Sequence, residues 1–154
     1  MPLFEEQIRN GGPVTITDSN MTRYLMSNEE AVKLVLKAMR LSRGGEIFVL
    51  KMPKVKIVDL AKVMIEDIAP KNGIHSNNIN LKFIGTYPGE KMDEILYTEE
   101  ESKRIIETDD MYIVVPHAML KDPKIKERIS RKINNNEKIL RVDEIKKLLK
   151  ATLI

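Results

Sequence analysis

The segment 13–32 constrains the fold more than any other part of the chain, because it combines two short strands with the start of a helix. Strand patterns cover 14–17 and 22–26, and the turn-forming sequence Asp-Ser-Asn lies between them. Ser27 and Glu30 have the spacing of a capping box, which predicts that a helix begins directly after the second strand. We therefore expect a strand–loop–strand–helix unit here.

Helices and strands alternate along the rest of the chain. Further strands are predicted over 46–50, 80–85 and 111–115, and the first of these is of the apolar kind that is buried in parallel sheets. Predicted helices cover the residues that follow Pro2 and the ranges 28–42, 57–69, 90–96, 98–106, 122–133 and 143–153. This order predicts an α/β fold in which short, partly parallel strands pack with helices.

The size and the charge of the chain predict its organisation. With 154 residues, of which 42% are hydrophobic, it can bury one full core, as a single domain or as an incomplete piece of a larger one. Residues 121–154 carry a net charge of +6, whereas residues 1–120 carry −3. Because acidic residues interrupt the basic ones and aromatic residues are missing, we expect 121–154 to be a basic helical tail that closes the domain formed by 1–120, and not a nucleic-acid interface.

Cysteine and histidine usage excludes several kinds of site. The sequence has no cysteine, and its two histidines lie outside any metal-binding spacing, so neither a disulfide, a thiol nucleophile nor a metal site is predicted. The sequence shows neither a leader peptide nor an apolar run of bilayer length, so we expect a cytoplasmic chain that does not bind membranes.

One arginine stands out as a candidate binding residue. Arg23 lies in an otherwise uncharged stretch, close to the hydroxyls of Thr15 and Thr17. A planar guanidinium beside such donors suits a phosphate, because it can donate two parallel hydrogen bonds to it. A structural salt bridge is the alternative for Arg23. Gly85 and Gly89 are read as turn residues, with close approach of a ligand as the alternative.

Several segments resemble a known family in both order and spacing. They include Gly-Gly-Pro-Val-Thr-Ile-Thr-Asp, Asn-Met-Thr-Arg-Tyr-Leu-Met-Ser, Phe-Ile-Gly-Thr-Tyr-Pro-Gly-Glu-Lys and Leu-Tyr-Thr-Glu-Glu-Glu. Over residues 2–116 the chain resembles the C-terminal, substrate-binding part of nucleotide-sugar enzymes of polysaccharide biosynthesis. These are extended short-chain dehydrogenases/reductases that act as UDP-N-acetylglucosamine 4,6-dehydratases, some of them also as 5-epimerases. The resemblance fits both dehydration alone and dehydration with epimerisation.

The resemblance implies which functions this chain has and which it lacks. In the family, the Rossmann half carries the glycine-rich NAD or NADP motif and a catalytic Tyr-x-x-x-Lys pair, and we expect neither in this chain. It should therefore hold no cofactor and no catalytic residue, and be inactive alone. The implied partners are a UDP-sugar, the Rossmann half or a full-length enzyme subunit, and a further copy in a homo-oligomer.

The resemblance also assigns roles to individual residues. The strand that holds Thr15 and Thr17 is expected to lie along the uracil, and Arg23 to grip the UDP diphosphate. Tyr87 occupies the position of a second phosphate-binding arginine, where a phenol still donates one hydrogen bond. Glu90 matches an acidic position near the ribose hydroxyls.

Family architecture pairs strand 14–17 with 80–85, and strand 22–26 with 46–50, which brings Arg23 and Tyr87 to one cleft.

A function in protein interaction is the alternative to nucleotide-sugar binding. The apolar faces of the helices over 28–42 and 57–69, left without the Rossmann half, could form a protein-interaction or oligomerisation surface.

Overall fold

A computed structural model describes residues 1–129, 133 and 138–152. Its α-helices are α1 (Pro2–Arg9), α2 (Asn28–Leu41), α3 (Ile57–Lys71), α4 (Glu99–Ser102), α5 (Pro123–Arg128) and α6 (Val142–Thr152). Its strands are β1 (Val14–Ile16), β2 (Thr22–Tyr24), β3 (Ile47–Leu50), β4 (Lys54–Lys56), β5 (Leu81–Phe83), β6 (Ile105–Glu107) and β7 (Met111–Val114). The predicted mixed α/β class with short strands is confirmed. The part of the predicted helix 122–133 beyond 129 falls almost wholly outside the described residues.

The chain divides into two units. Unit 1 comprises Met1–Leu25, Pro53–Glu94 and Lys138–Ile154, and unit 2 comprises Met26–Met52 and Ile95–Glu137. The expected division of the chain at residue 120 stays a prediction. Among the residues with described coordinates, no helix combines the length and the apolar character that a membrane span requires.

The core of unit 1 forms around α3, which packs against α1 and α6. Apolar side chains from three helices and two strands are buried in it, including Ile8, Val14, Val55, Leu60, Met64 and Ile145. The apolar face of α3 is thus covered, so the expectation that it would be exposed is wrong. Because α3 has apolar residues around most of its circumference, it buries side chains against several elements at once.

Two short sheets in unit 1 carry the candidate binding residues. β1 pairs in parallel with β5, as predicted for 14–17 and 80–85. β2 pairs antiparallel with β4, with Arg23 opposite Val55, so the predicted pairing of 22–26 with 46–50 is wrong. β4 was not among the predicted strands; it begins at Lys54, directly after Pro53, and pairs alongside β2.

Unit 2 is built on an antiparallel sheet in the order β3-β7-β6. The predicted parallel setting of β3 is therefore wrong, because β3 pairs antiparallel with β7. The capping box of Thr98 and Glu101 is present, but α4 ends at Ser102 and does not continue to residue 106 as predicted. Residues 105–107 instead form β6, where the β-branched Ile105 and Ile106 are buried against β7.

The loop that follows β5 is a turn region. Glu90 N–H donates to the carbonyl of Tyr87 at 3.0 Å, and Gly89 has a φ of +82°. With Pro88 in the second position, this is the arrangement of a type II turn, which requires glycine in the third position. The turn interpretation of Gly89 is thus confirmed, whereas the helix predicted over 90–96 does not form.

Candidate functional site

Arg23 projects from β2 in unit 1, and its side chain is partly exposed. Its Nη1 donates to the carbonyl of Thr22 at 2.7 Å and to that of Met92 at 3.5 Å. Its Nη2 lies 3.8 Å from Glu90 Oε1, and its side chain is 28% exposed. The group is therefore held in place by carbonyls on one side while it remains open to a ligand.

Glu90 joins the other candidate residues to Arg23. Its Oε1 accepts a hydrogen bond from the hydroxyl of Thr17 at 3.3 Å, and its Oε2 accepts one from the backbone N–H of Tyr87 at 3.2 Å. The carboxylate is 23% exposed. Thr17, Arg23 and Tyr87 thus all contact one carboxylate, although the first and last of them are far apart in sequence.

Thr15 and Tyr87 both hydrogen-bond to other side chains through their backbone N–H groups. Thr15 is engaged with α1, since its N–H donates to Gln7 Oε1 at 3.0 Å and its hydroxyl accepts from Gln7 Nε2 at 2.8 Å. Tyr87 contacts Glu90 through its backbone, and its residue is 64% exposed. The Tyr87 side chain is therefore largely exposed to solvent.

The sequence interpretation missed a second charged pair near Arg23. Lys54 Nζ lies 2.7 Å from Asp93 Oδ2, and Asp93 Oδ1 accepts a hydrogen bond from the hydroxyl of Thr22. Asp93 lies in the range 90–96, which was predicted as a helix that does not form. The alternation of Lys54, Val55 and Lys56 is the signal that could have identified β4 as a strand.

The carboxyl group of Asp93 is held in its charged form. The hydrogen bonds from Lys54 and Thr22 lower its pKa below the ordinary value of an aspartate. Any stability from these contacts is fully present above the ordinary pKa and is lost as the pH falls through the lowered one.

Among the described residues, no group of three or more histidine, aspartate or glutamate side chains could hold a metal ion.

Together these residues can bind a ligand that carries both phosphate and hydroxyl groups. The fork of Arg23 offers donors to an anion, and the Glu90 carboxylate offers acceptors to hydroxyls.

The family model described as polysaccharide biosynthesis protein matches residues 1–116. The chain belongs to this polysaccharide biosynthesis protein family.

The curated relatives of this family member include enzymes named for nucleotide-sugar substrates. A UDP-N-acetylglucosamine 4,6-dehydratase (inverting) of Campylobacter jejuni is 37% identical to it, over 75% of this chain and 32% of that enzyme. An uncharacterized membrane protein of Methanocaldococcus jannaschii is 49% identical, over 97% of this chain and 44% of that protein. Other relatives are named as a capsular polysaccharide biosynthesis protein and as UDP-glucose 4-epimerases. The predicted resemblance to this branch is confirmed.

A solved structure shares the fold of this family member. The X-ray structure of Pen from Bacillus thuringiensis matches it with a TM-score of 0.80 and 35% identity, over 99% of this chain and 45% of that one. The chain therefore spans less than half the length of Pen and of the curated relatives named above.

One sequence expectation about the catalytic pair needs correction for this family member. The spacing Tyr-x-x-x-Lys does occur, at Tyr87 and Lys91. In a helix, residues four apart lie on one face. Residues 87–90 form a turn here, with Pro88 and Gly89 in its centre, so Tyr87 and Lys91 do not share a helix face.

Proposed function

We propose that this chain is the nucleotide-sugar-binding portion of a 4,6-dehydratase or dehydratase/5-epimerase that acts on a UDP-N-acetylglucosamine-type substrate. Arg23 binds the diphosphate, Glu90 accepts hydrogen bonds from the ribose hydroxyls, and β1, with Thr15 and Thr17, lies along the uracil. Tyr87 donates its phenol hydroxyl to a phosphate. The observation that carries this proposal is the partly exposed side chain of Arg23 beside the Glu90 carboxylate.

A comparison of contact free energies indicates that a phosphate can replace the Glu90 carboxylate as the partner of Arg23. An ion pair 3.8 Å long between partly exposed groups contributes about 1 kcal/mol or less. Hydrogen bonds between charged groups contribute about 1.5 to 3 kcal/mol. A bidentate phosphate can therefore displace Glu90 from Arg23, which frees the carboxylate oxygens for the ribose hydroxyls.

The residues of this chain do not fit a nicotinamide dinucleotide. The sequence contains no Gly-x-Gly-x-x-Gly segment, whose glycines allow the backbone to approach a pyrophosphate. We propose that NAD or NADP is bound by a cofactor half outside this sequence and that the chain alone has no hydride-transfer activity. Its cytoplasmic location likewise stays a prediction.

Calorimetric titration with UDP, UDP-N-acetylglucosamine, uridine and inorganic diphosphate tests the binding role. We expect UDP to bind at least about tenfold more tightly than uridine, because only UDP reaches Arg23 with a charged group. We expect UDP also to bind more tightly than diphosphate, because β1 and Glu90 contact only the nucleoside. Equal affinities for uridine and UDP, or no heat at millimolar UDP from a folded chain, would contradict the proposal.

The exposed face of α2 is the proposed contact with the cofactor half. α2 buries no residue completely, and four of its apolar side chains are more than half exposed: Val32, Val35, Leu36 and Met39. Their spacing places them on one face of the helix. Pen and the Methanocaldococcus relative are more than twice as long as the matched region. A further part of such an enzyme is therefore available to cover this apolar face of α2.

Replacing Val35 and Met39 together by glutamate is expected to reduce binding of an apolar dye by this chain severalfold. Two charges on the apolar face of α2 make it unsuitable for apolar contacts, while the folded structure should persist because neither residue is buried. Dye fluorescence and sedimentation of both proteins measure the effect, and sedimentation also detects a second copy as the occupant. Identical dye binding by the wild-type chain and the variant would refute the proposed contact.

A further inference from the structure

Lys54 is unusual because it is a lysine buried inside unit 1. Its side chain is only 7% exposed, and among the described residues the buried polar side chains are Ser27 and Lys54. Its Nζ lies 2.7 Å from Asp93 Oδ2 and 5.1 Å from the centre of the Tyr24 ring. A buried ammonium is costly unless it is paired, so this contact needs a structural or functional reason.

The strand register explains how Lys54 reaches Asp93. Lys54 lies opposite Tyr24 in the antiparallel β2–β4 pair, and Thr22 shares the face of Tyr24 because it is two residues away. Asp93 accepts from Lys54 with one oxygen and from the Thr22 hydroxyl with the other. The N–H of Thr22 also donates to the carbonyl of Met92 at 3.0 Å. The loop that follows β5 is therefore attached to both β2 and β4 through its residues Met92 and Asp93.

This fastening point is adjacent to the candidate site. The carbonyl of Met92 also accepts from Arg23 Nη1, and Glu90, two residues earlier, faces Arg23 Nη2. Glu90 in turn holds the N–H of Tyr87. Movement at Asp93 is therefore transmitted directly to the groups around Arg23.

We propose that Lys54 and Asp93 are positioning residues, which fix the loop 87–93 so that Glu90 and Tyr87 are held beside Arg23 before a ligand binds. The inference rests on the proposed function for the identity of the ligand, but the fastening of the loop is independent of it. Lys54 does not itself bind phosphate in this arrangement, because its ammonium is buried and already paired with Asp93.

Stability alone is a weak explanation for this pair. Replacing a buried ionic contact by neutral groups is often neutral or stabilising. Because the Asp93 side chain is 55% exposed, only removal of Asp93 leaves a buried charge unpaired, namely the ammonium of Lys54. A double variant therefore separates the two roles: it can recover global stability, but it cannot restore the fastening of the loop to β4.

Amide hydrogen exchange on Asp93→Asn, Lys54→Met and the double variant tests the proposal. We expect the N–H groups of Tyr87 and Glu90 to exchange about tenfold faster in all three proteins, while core amides of α3 recover their wild-type protection in the double variant. UDP affinity should fall severalfold in all three. Lys91→Met is the matched control, since Lys91 is an exposed lysine of the same loop and should change neither measurement.

Two results would overturn the proposal. One is unchanged exchange at Tyr87 and Glu90 in Asp93→Asn; the other is recovery of both loop protection and UDP affinity in the double variant, which would leave only a structural role. If the wild-type chain binds no UDP, the proposed function fails, and the exchange rates still decide whether Lys54 and Asp93 fasten the loop.

Discussion

The Arg23→Ala variant is expected to bind UDP about 10- to 100-fold more weakly than the wild-type chain, because it loses charge-assisted hydrogen bonds that contribute about 1.5 to 3 kcal/mol. The loss should be smaller for uridine, which has no phosphate. The alanine side chain also leaves Glu90 without its cationic neighbour, so a like charge then faces the incoming diphosphate. Calorimetric titration of both proteins with UDP and with uridine measures the difference.

A matched control for Arg23 is available in the same unit. Arg9 is an arginine of α1 whose side chain is 60% exposed and pairs with Glu5. Arg9→Ala removes the same charge from the chain, and we expect UDP affinity to remain within about twofold because an exposed pair contributes little. Arg23→Lys adds a second comparison, since it keeps the charge but loses the planar fork. Equal UDP affinity of wild type and Arg23→Ala would exclude Arg23 as the diphosphate ligand.

The Ile145→Ala variant is expected to lower the free energy of unfolding by about 2 to 5 kcal/mol, since it leaves a cavity in a packed core. Ile145 in α6 is fully buried in the core of unit 1, where α6 packs on α3. The loss should therefore be close to the upper values seen for isoleucine. Urea denaturation followed by far-UV circular dichroism measures it.

Lys147→Ala is the control for this substitution. Lys147 is exposed on the same helix, and lysine and alanine both favour helices, so the expected change is within about 0.5 kcal/mol. If the two variants unfold at the same urea concentration, α6 does not contribute to the core of unit 1 in solution.

Local signals in the sequence predicted local structure well. The capping boxes at Ser27 and Thr98 and the turn at Pro88 and Gly89 are all present. Each depends on residues within four positions of one another, so the pattern contains its own partners. The same reason explains why helix starts were predicted more accurately than strand pairings.

Pairing between distant strands was the weakest part of the sequence interpretation. β2 pairs with β4 and β3 pairs with β7, and nothing in the alternation of these short segments specifies the partner. β6 was missed for a related reason: Ile105 and Ile106 continue the apolar spacing of a helix, and only their contact with β7 makes them a strand. The β1–β5 pairing was correct because the family resemblance supplied it.

In the candidate site, too, the sequence revealed a residue with a local signal but not a contact between distant residues. Arg23 could be found because a single arginine stands in an uncharged strand, whereas Lys54 and Asp93 are separated by 39 positions and look like ordinary surface charges. Burial of Lys54 follows from the approach of the loop that carries Asp93, which is a property of the folded chain. The sequence therefore identified Arg23, the proposed phosphate-binding residue, and missed the Lys54–Asp93 pair that we propose holds the neighbouring loop.

The division of unit 1 among three separate stretches affects how the chain can fold while it is being translated. α1 and α3 are synthesised before Ile145 and Leu149, which complete their shared core. Until α6 has been made, the apolar side chains of α3 that pack against it are uncovered, and exposed surface of this kind is prone to aggregation. A nascent chain that stalls before α6 is therefore a substrate for chaperones and proteases, even though the segments proposed to bind UDP have already been made.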